Sequence, residues 1–333
     1  MRFKKNDLLN VLSVLSSGRE LFVPGLVRGI KQFKLWQGEE PVLDGENTLM
    51  PPKDILFPKT EKMYSFKTGE NTEIDEIVET PERVIFGLRP CDMRSIECMD
   101  SVFIKEGYTD TFYARRREKS LVVALACPGA GENCFCEAMG VDPNSAPGAD
   151  IFLRDGGEFY AVSANTERGR VELERWSEYL YEAEDEQPVN ADVHCALRPA
   201  MSRELSERLP ELFGNDEFWK EVSSACYHCG TCSFVCPTCY CFDINNANVG
   251  DEGVAFRCWD SCMFSDYNQN AGGHNTRPTK KEKLRNRYMH KLSYFHDRHG
   301  VELCVGCGRC IAKCPAHLDI AEFIDKAAEV LKI

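Results

Sequence analysis

The first half of the chain alternates short apolar runs with polar turns. Residues 84–88 and 121–126 are continuous apolar runs, as expected of strands that are covered on both faces. Two further apolar runs, 151–153 and 159–162, flank Asp155-Gly156-Gly157 and predict a hairpin. Four apolar residues near the N-terminus recur at helical spacing: Leu8, Val11, Leu12 and Leu15. The pattern predicts an α/β domain.

Beyond about residue 190 the pattern becomes mainly helical. Leu205, Leu209 and Leu212 recur at helical spacing. A final helix is predicted by a capping box of Asp319 and Glu322 and by the apolar stripe that follows. The stripe consists of Ile320, Phe323, Ile324, Ala327 and Leu331. The acidic segment 182–188 is typical of an exposed linker, so we predict two domains, 1–190 and 191–333.

The second domain carries two cysteine runs with identical spacing, each closed by a proline. They are Cys226, Cys229, Cys232 and Cys236 before Pro237, and Cys304, Cys307, Cys310 and Cys314 before Pro315. This is the bacterial ferredoxin spacing for [4Fe–4S] clusters. A zinc knuckle is the alternative for a single run, but two runs with the same spacing and both prolines favour clusters.

The proline after each fourth cysteine is expected to begin a helix that leads away from the first three cysteines. The fourth cysteine is therefore expected to bind the other cluster. The first predicted set is Cys226, Cys229, Cys232 and Cys314, and the second is Cys304, Cys307, Cys310 and Cys236. The runs are too far apart for a compact bacterial ferredoxin. We predict an α+β protein whose second domain is an α-helical ferredoxin domain with a long insert, 237–303.

Composition and charge narrow the class of protein. The formal net charge of −13 argues against nucleic acid as the main partner. Twelve of the eighteen cysteines lie between Cys226 and Cys314 in metal-type spacings, which favours a reducing compartment over a disulfide scaffold. No signal peptide and no apolar run of membrane length is evident. We expect a soluble, cytoplasmic protein without a membrane partner.

The insert carries four further cysteines, Cys239, Cys241, Cys258 and Cys262. Their Cys-x-Cys and Cys-x-x-x-Cys spacings are compatible with a tetrahedral metal site or another cluster. The alternative is that they are buried small hydrophobic residues that tune the neighbouring clusters. The sequence leaves both interpretations open.

Cysteines in the first domain fall where predicted strands end. Cys91 and Cys127 follow two of these strands, and Cys134 and Cys136 lie on the loop after Cys127. Because ligands bind at the carboxyl edge of open α/β sheets, these four thiols are candidates for a third [4Fe–4S] cluster. Scattered core cysteines are the alternative. Cys98 and Cys195 are interpreted as unpaired, and Cys98 is expected to be a core residue.

A basic segment stands out from the acidic background and could be a helix. It contains Arg277, Lys280, Lys281, Lys283, Arg285, Arg287 and Lys291. A solvated helix face is the simpler interpretation, and a docking face for an acidic redox partner is the alternative. The loop Gly129-Ala130-Gly131 lacks the third glycine of a dinucleotide fingerprint, and no P-loop occurs.

Several short motifs together resemble the iron–sulfur β subunit of cytosolic sulfhydrogenases and the corresponding iron–sulfur subunit of anaerobic sulfite reductase. The motifs are Arg89-Pro90-Cys91-Asp92, Cys134-Phe135-Cys136, Cys236-Pro237-Thr238-Cys239-Tyr240-Cys241, Trp259-Asp260-Ser261-Cys262, Gly272-Gly273-His274-Asn275 and Cys304-Val305-Gly306-Cys307-Gly308-Arg309-Cys310. The resemblance runs from about residue 80 to the end. It implies an electron-transfer subunit between a flavin subunit that uses NAD(P) and a catalytic or further redox subunit.

The sequence therefore favours an iron–sulfur conduit of a cytosolic anaerobic oxidoreductase complex, without substrate chemistry of its own. We expect it to relay electrons between a subunit that binds FAD and NAD(P) and a catalytic subunit of hydrogenase, sulfite reductase or heterodisulfide reductase type. The alternative is a catalytic subunit with an unrecognised flavin or substrate site in the first domain. A zinc-organised scaffold is a third class.

Overall fold

The computed structural model describes residues 1–78, 80–105, 107–182, 192–196 and 201–333. Residues 183–188 of the predicted acidic linker and the predicted boundary near residue 190 lie outside the described residues. Within the described ranges, no helix is long and apolar enough to cross a bilayer.

Strands concentrate in the first half of the chain. They are β1 (Arg2–Lys4), β2 (Glu20–Val27), β3 (Ile30–Leu35), β4 (Thr60–Lys67), β5 (Glu73–Glu76), β6 (Arg83–Leu88), β7 (Ser120–Leu125), β8 (Ile151–Asp155), β9 (Phe159–Ala164), β10 (Phe242–Val249) and β11 (Glu252–Trp259).

Helices lie around these strands and fill most of the second half. They are α1 (Leu8–Ser16), α2 (Lys53–Leu56), α3 (Pro90–Phe103), α4 (Thr111–Glu118), α5 (Glu167–Arg175), α6 (Arg203–Arg208), α7 (Asp216–Ser223), α8 (Thr231–Phe234), α9 (Lys280–Met289), α10 (Phe295–His299), α11 (Arg309–Ala312) and α12 (Ile320–Leu331). A π-helical turn, His290–Tyr294, joins α9 to α10.

The main sheet has seven strands in the order β1-β9-β8-β7-β6-β2-β3. Four successive strands, β8, β7, β6 and β2, are mutually parallel, and the remaining pairings on either side of them are antiparallel. The predicted strands at 84–88 and 121–126 are confirmed as the neighbours β6 and β7. The predicted hairpin is confirmed as β8 and β9.

Both faces of this sheet are covered, which explains the continuous apolar runs. On β6, Val84 and Phe86 pack on one face with α1 and α5, while Ile85 packs on the other with α3 and α4. Side chains alternate between the faces because a strand has a period of two residues. The predicted N-terminal helix is confirmed as α1, and all four of its predicted core residues are buried.

A second sheet has four strands in the order β10-β11-β4-β5, all antiparallel. β10 and β11 come from the insert, for which no strands were predicted, and β4 and β5 come from the first half of the chain. One sheet therefore joins the two predicted domains. The division into domains 1–190 and 191–333 stays a prediction. If two domains are present, both contribute strands to this sheet.

The second half packs its helices into a separate apolar core. Leu205, Leu209 and Leu212 are buried, as their helical spacing predicted. The predicted last helix is confirmed as α12, whose entire apolar stripe is buried. Its first turn is capped by Asp319, which accepts a hydrogen bond from the backbone N–H of Ala321 at 2.7 Å. This helical core surrounds the cysteine runs.

Candidate iron–sulfur centre

Thiols from both cysteine runs line one cavity. Cys226, Cys229 and Cys232 lie on it together with Cys314 from the other run. Short helices α8 and α11 lie within the two runs, carry the third cysteine of each, and pack against each other. The expectation that Pro237 and Pro315 begin helices is wrong, because both lie in turns. The structure thus brings together the first predicted set, and Cys310 of the second set borders the same cavity.

The wall of this cavity is apolar and includes Met263, Leu284 and Ile320. Its donor set of four thiols is the ligand chemistry that a [4Fe–4S] cluster requires. His228, which also lines this cavity, has left-handed backbone, and its buried Nε2 atom has no hydrogen-bond partner among the described residues. The residues present therefore fit a cubane cluster.

The second predicted set is more deeply buried. Cys304, Cys307 and Cys310 interact electrostatically with Cys236, which places the four thiols in one neighbourhood. Burial raises the pKa of Cys304 to about 12 and that of Cys307 to about 11. Free thiols at these positions would stay protonated at neutral pH. Bound iron would supply the positive charge that keeps such thiols deprotonated.

Buried cations surround the second set. Lys53, Arg287 and Lys291 are almost completely excluded from solvent. Burial disfavours the charged form of Lys291, but the thiols of Cys236 and Cys239 outweigh this and raise its pKa. Cations in these positions offset the negative charge of thiolate ligands.

The four candidate cysteines of the first half come together at the edge of the main sheet. β6 and β7 are parallel neighbours, so Cys91 and Cys127 after their ends lie side by side. Cys134 and Cys136 line the same cavity as these two thiols. Burial raises the pKa of Cys127 to about 11. The predicted convergence of the four thiols is present.

Two more thiols border this cavity. Cys307 of the second set lies on its wall, and so does Cys195, whose Sγ atom is 3.3 Å from that of Cys136. The interpretation of Cys195 as unpaired is therefore wrong. Cys195 is 59 residues from Cys136 in the sequence and belongs to no cysteine motif, so the sequence alone could not predict this contact. Cys98, by contrast, is a buried core residue as expected.

We call the four candidate cysteines of the first half, Cys91, Cys127, Cys134 and Cys136, the N-terminal set. The loops of the second set and the N-terminal set are in direct contact. The N–H of Phe135 donates a hydrogen bond to the carbonyl of Gly306 at 2.8 Å. A Cβ atom on Gly306 would lie 2.5 Å from the Cα atom of Cys136. Arg309 also donates two hydrogen bonds to the buried carboxylate of Asp92, at 2.7 and 3.0 Å. These contacts fix the spacing between the two thiol sets.

The four insert cysteines do not come together in one place. Cys241 is hydrogen-bonded to Cys262, which lowers the pKa of Cys241 to about 6. Cys239 is hydrogen-bonded to Cys236 of the second set.

Cys258 stands apart on β11, where the amide of Asn245 is 3.7 Å from its Sγ atom. Neighbouring residues on a strand face opposite sides, so Cys258 points away from the buried Trp259. The structure therefore divides the four insert thiols among three places. This arrangement does not support a tetrahedral site made by all four, and it places Cys239, Cys241 and Cys262 near the ferredoxin runs as neighbours of the candidate ligands.

From Lys280 onward, the basic segment forms α9 and the π-helical turn. Lys283, Arg287 and Lys291 are buried, so a uniformly solvated face is wrong for this segment. Lys281 pairs with Asp216 at 2.8 Å, and the guanidinium of Arg285 stacks over Phe213 at 3.9 Å. Several of its charged side chains therefore lie in the protein interior. The sequence pattern did not reveal this burial, because a helix rich in Lys and Arg is usually exposed.

Comparison with known proteins agrees with this site. A family model described as "4Fe-4S dicluster domain" matches residues 225–318, which contain both cysteine runs. Sulfhydrogenase 2 subunit beta of Pyrococcus furiosus is 30% identical over 306 residues, which cover 88% of this chain and 87% of the relative. No solved structure matches the chain.

Proposed function

The chain belongs to the family of iron–sulfur β subunits of sulfhydrogenases, and we propose that it relays electrons between two other subunits of an oxidoreductase complex. An iron–sulfur electron-transfer subunit is what the family and the dicluster domain support. The proposed donor or acceptor on one side binds FAD and NAD(P). The proposed subunit on the other side is catalytic, of hydrogenase, sulfite reductase or heterodisulfide reductase type.

One observation supports the relay above all others: the second thiol set borders the cavities of both the first set and the N-terminal set. Cys310 of the second set borders the cavity of the first set. Cys307 of the second set borders the cavity of the N-terminal set. The second set is therefore central, with one neighbour on each side. We propose three [4Fe–4S] clusters in this order.

We propose crossed ligation for the first two clusters. Cys314 lines the cavity of Cys226, Cys229 and Cys232, and Cys236 lies with the second run. When bound, each cluster accepts and donates one electron at a potential set by charge, hydrogen bonds and burial. The chain contributes thiolate ligands, apolar walls that exclude water, and buried cations beside the central set.

The ends of the relay have different surroundings. Cys229 of the first set is exposed, whereas in the second set Cys236 is buried and the other three thiols are half-buried. The N-terminal set reaches toward a groove bordered by Cys134, Cys307 and Lys313. We propose that partners approach these two ends. We also propose an α-helical ferredoxin arrangement around the two runs and a cytoplasmic location, where thiols stay reduced.

Anaerobic purification of the tagged chain from its native host tests the proposal. We expect a flavoprotein and a catalytic oxidoreductase subunit to copurify, and the complex to transfer electrons from NAD(P)H to an acceptor. The chain alone should show iron–sulfur absorption and about twelve iron atoms if three cubanes are bound. Flavin bands in the isolated chain, or turnover of NAD(P)H with a natural acceptor by the chain alone, would overturn the relay.

A further inference from the structure

The cavity at the carboxyl edge of the main sheet holds more thiols than one cubane uses. Five thiols outside the two cysteine runs border it: Cys91, Cys127, Cys134, Cys136 and Cys195. A [4Fe–4S] cluster takes four cysteine ligands. The arrangement of the thiols within the cavity distinguishes the ligands from the fifth residue.

Cys195 lies among the thiols of the long loop. Its Sγ atom is 3.3 Å from Sγ of Cys136. Cys127 and Cys134 also interact electrostatically with Cys195 and with each other. Cys136 in turn interacts with both of them. These four thiols form a closed group, because each of them interacts with the other three.

Cys91 has a different set of neighbours. It lies in the first turn of α3, beside the buried Asp92–Arg309 ion pair. Its thiol interacts with Cys307 of the second set and with Cys127. Cys91 is buried, with 5% of its surface exposed. Cys91 therefore lies between the closed group and the central thiol set.

The segment that carries Cys195 is anchored beside the loop of Cys136. The backbone N–H of Cys195 donates to Oε2 of Glu137 at 2.5 Å, and His194 bonds to Oε1 of the same carboxylate at 2.8 Å. Asn144 exchanges two hydrogen bonds with the backbone of Val193, at 2.8 and 2.9 Å. These bonds hold a thiol that is distant in sequence at the cavity.

We infer that Cys127, Cys134, Cys136 and Cys195 bind the third [4Fe–4S] cluster, and that Cys91 is a free thiol between this cluster and the central one. The inference rests on the proposed third cluster and changes one of its ligands. Each of the four thiols releases its proton on binding iron, and the thiol of Cys91 keeps its proton.

Iron content of the full chain, purified anaerobically, tests the assignment. Three variants are compared: Cys195→Ala, Cys91→Ala and, as a matched control, Cys98→Ala, which removes a nearby buried thiol outside the group. We expect about twelve iron atoms in the native chain and in the Cys91 and Cys98 variants. Cys195→Ala should retain about eight, with the EPR signals of the two ferredoxin-run clusters unchanged.

A second variant covers the case in which Cys195→Ala does not fold. Cys195→Ser keeps the size of the side chain and offers oxygen in place of sulfur. We expect this variant to change the EPR signal of one cluster alone, and an unchanged spectrum would overturn the assignment of Cys195.

Three other outcomes would overturn the inference. Loss of iron in Cys91→Ala with full iron in Cys195→Ala would assign Cys91 as the ligand and leave the third cluster intact. A disulfide between Cys136 and Cys195 in the iron-loaded chain, detected by mass spectrometry, would exclude both thiols as ligands. About eight iron atoms in the native chain would instead remove the third cluster on which the inference rests.

Discussion

The ammonium group of Lys291 lies 3.2 Å from the Sγ atom of Cys236. The same ammonium donates to the hydroxyl of Thr238 at 3.0 Å and to the carbonyl of Leu303 at 3.3 Å. Lys291 occupies the π-helical turn between α9 and α10, a backbone irregularity often found at functional sites. A buried cation is thus held directly against a proposed ligand of the central cluster.

Replacing this cation should make the central cluster harder to reduce. Reduction adds negative charge, which Lys291 stabilises. A hydrogen bond to a charged group contributes roughly 1.5–3 kcal/mol, and about 1.4 kcal/mol corresponds to 59 mV for one electron. We expect Lys291→Met to lower one midpoint potential by on the order of 60–120 mV in an EPR-monitored titration.

Lys281→Met is the matched control, because Lys281 pairs with Asp216 and lies away from the thiols. Its midpoint potentials should equal those of the native chain. Equal potentials in Lys291→Met and the native chain would contradict the proposed electrostatic role.

Crossed ligation predicts which cluster a fourth cysteine serves. Cys314→Ala should damage the cluster of Cys226, Cys229 and Cys232, since Cys314 lines that cavity. EPR of the reduced protein, compared with a Cys226→Ala variant, measures this. The two variants should lose the same signal. Damage confined to the cluster of Cys304 and Cys307 would instead show sequential ligation.

Gly306 should tolerate no side chain. It has a φ angle of 62°, and an added Cβ would lie 2.5 Å from backbone atoms of Phe135 and Cys136. Gly300 has a similar φ of 71° but faces open space. We expect Gly300→Ala to cost about 1–2 kcal/mol, from backbone strain alone. Gly306→Ala should cost more than about 4 kcal/mol and reduce the iron content. Equal thermal stability of the two variants would argue against the close loop contact.

Glu61 should be essential to the second sheet. Its carboxylate accepts hydrogen bonds from Arg116 and from Arg257, the latter at 2.5 Å, and all three side chains are buried. Glu61→Gln removes the negative charge beside two buried guanidinium groups. We expect this change to lower the free energy of unfolding by about 3–5 kcal/mol. The exposed pair Lys67–Glu252 supplies the control, because Glu252→Gln should change stability by less than about 1 kcal/mol. Thermal unfolding followed by circular dichroism distinguishes the two expectations.

His290 should make the folded state sensitive to mild acid. Burial lowers its pKa to about 4, and its Nε2 atom is 3.0 Å from the hydroxyl of Tyr240. The unfolded chain takes up this proton as pH falls through about 6.5, whereas the folded chain does not until about pH 4. Stability is therefore lost across this window, by on the order of 2 kcal/mol at pH 5.

The variant His290→Gln tests this pH dependence. Its melting temperature should fall less between pH 7 and pH 5 than that of the native chain. Parallel melting curves for the two proteins would assign the acid sensitivity to other groups.

Local patterns predicted the features that depend on neighbouring residues. Val84 to Leu88 and the cysteine runs are contiguous in sequence, and their periodicity or spacing alone implies a buried strand or a shared cluster. Cys91 and Cys127 converge because two parallel strands end at the same edge, which follows from the order of elements.

Long-range pairing accounts for what the sequence did not reveal. β10 is largely exposed and rich in Asn, so it carries no apolar alternation, and its hairpin finds β4 far upstream in the chain. Cys195 joins its cavity through hydrogen bonds to Glu137 and not through spacing. Lys291 is buried because thiols compensate its charge, a context that helix composition does not encode.

The pairing of β4 with β11 also sets an order of events during protein synthesis. Glu61 and its partner Arg257 are 196 residues apart, so β4 leaves the ribosome long before β11. At roughly 5–20 residues per second, the interval lasts about 10–40 s. During that time β4 and β5 form an unpaired edge, which is a template for pairing with other chains. Association between nascent chains is therefore expected to begin at this edge, and to stop once β11 covers it.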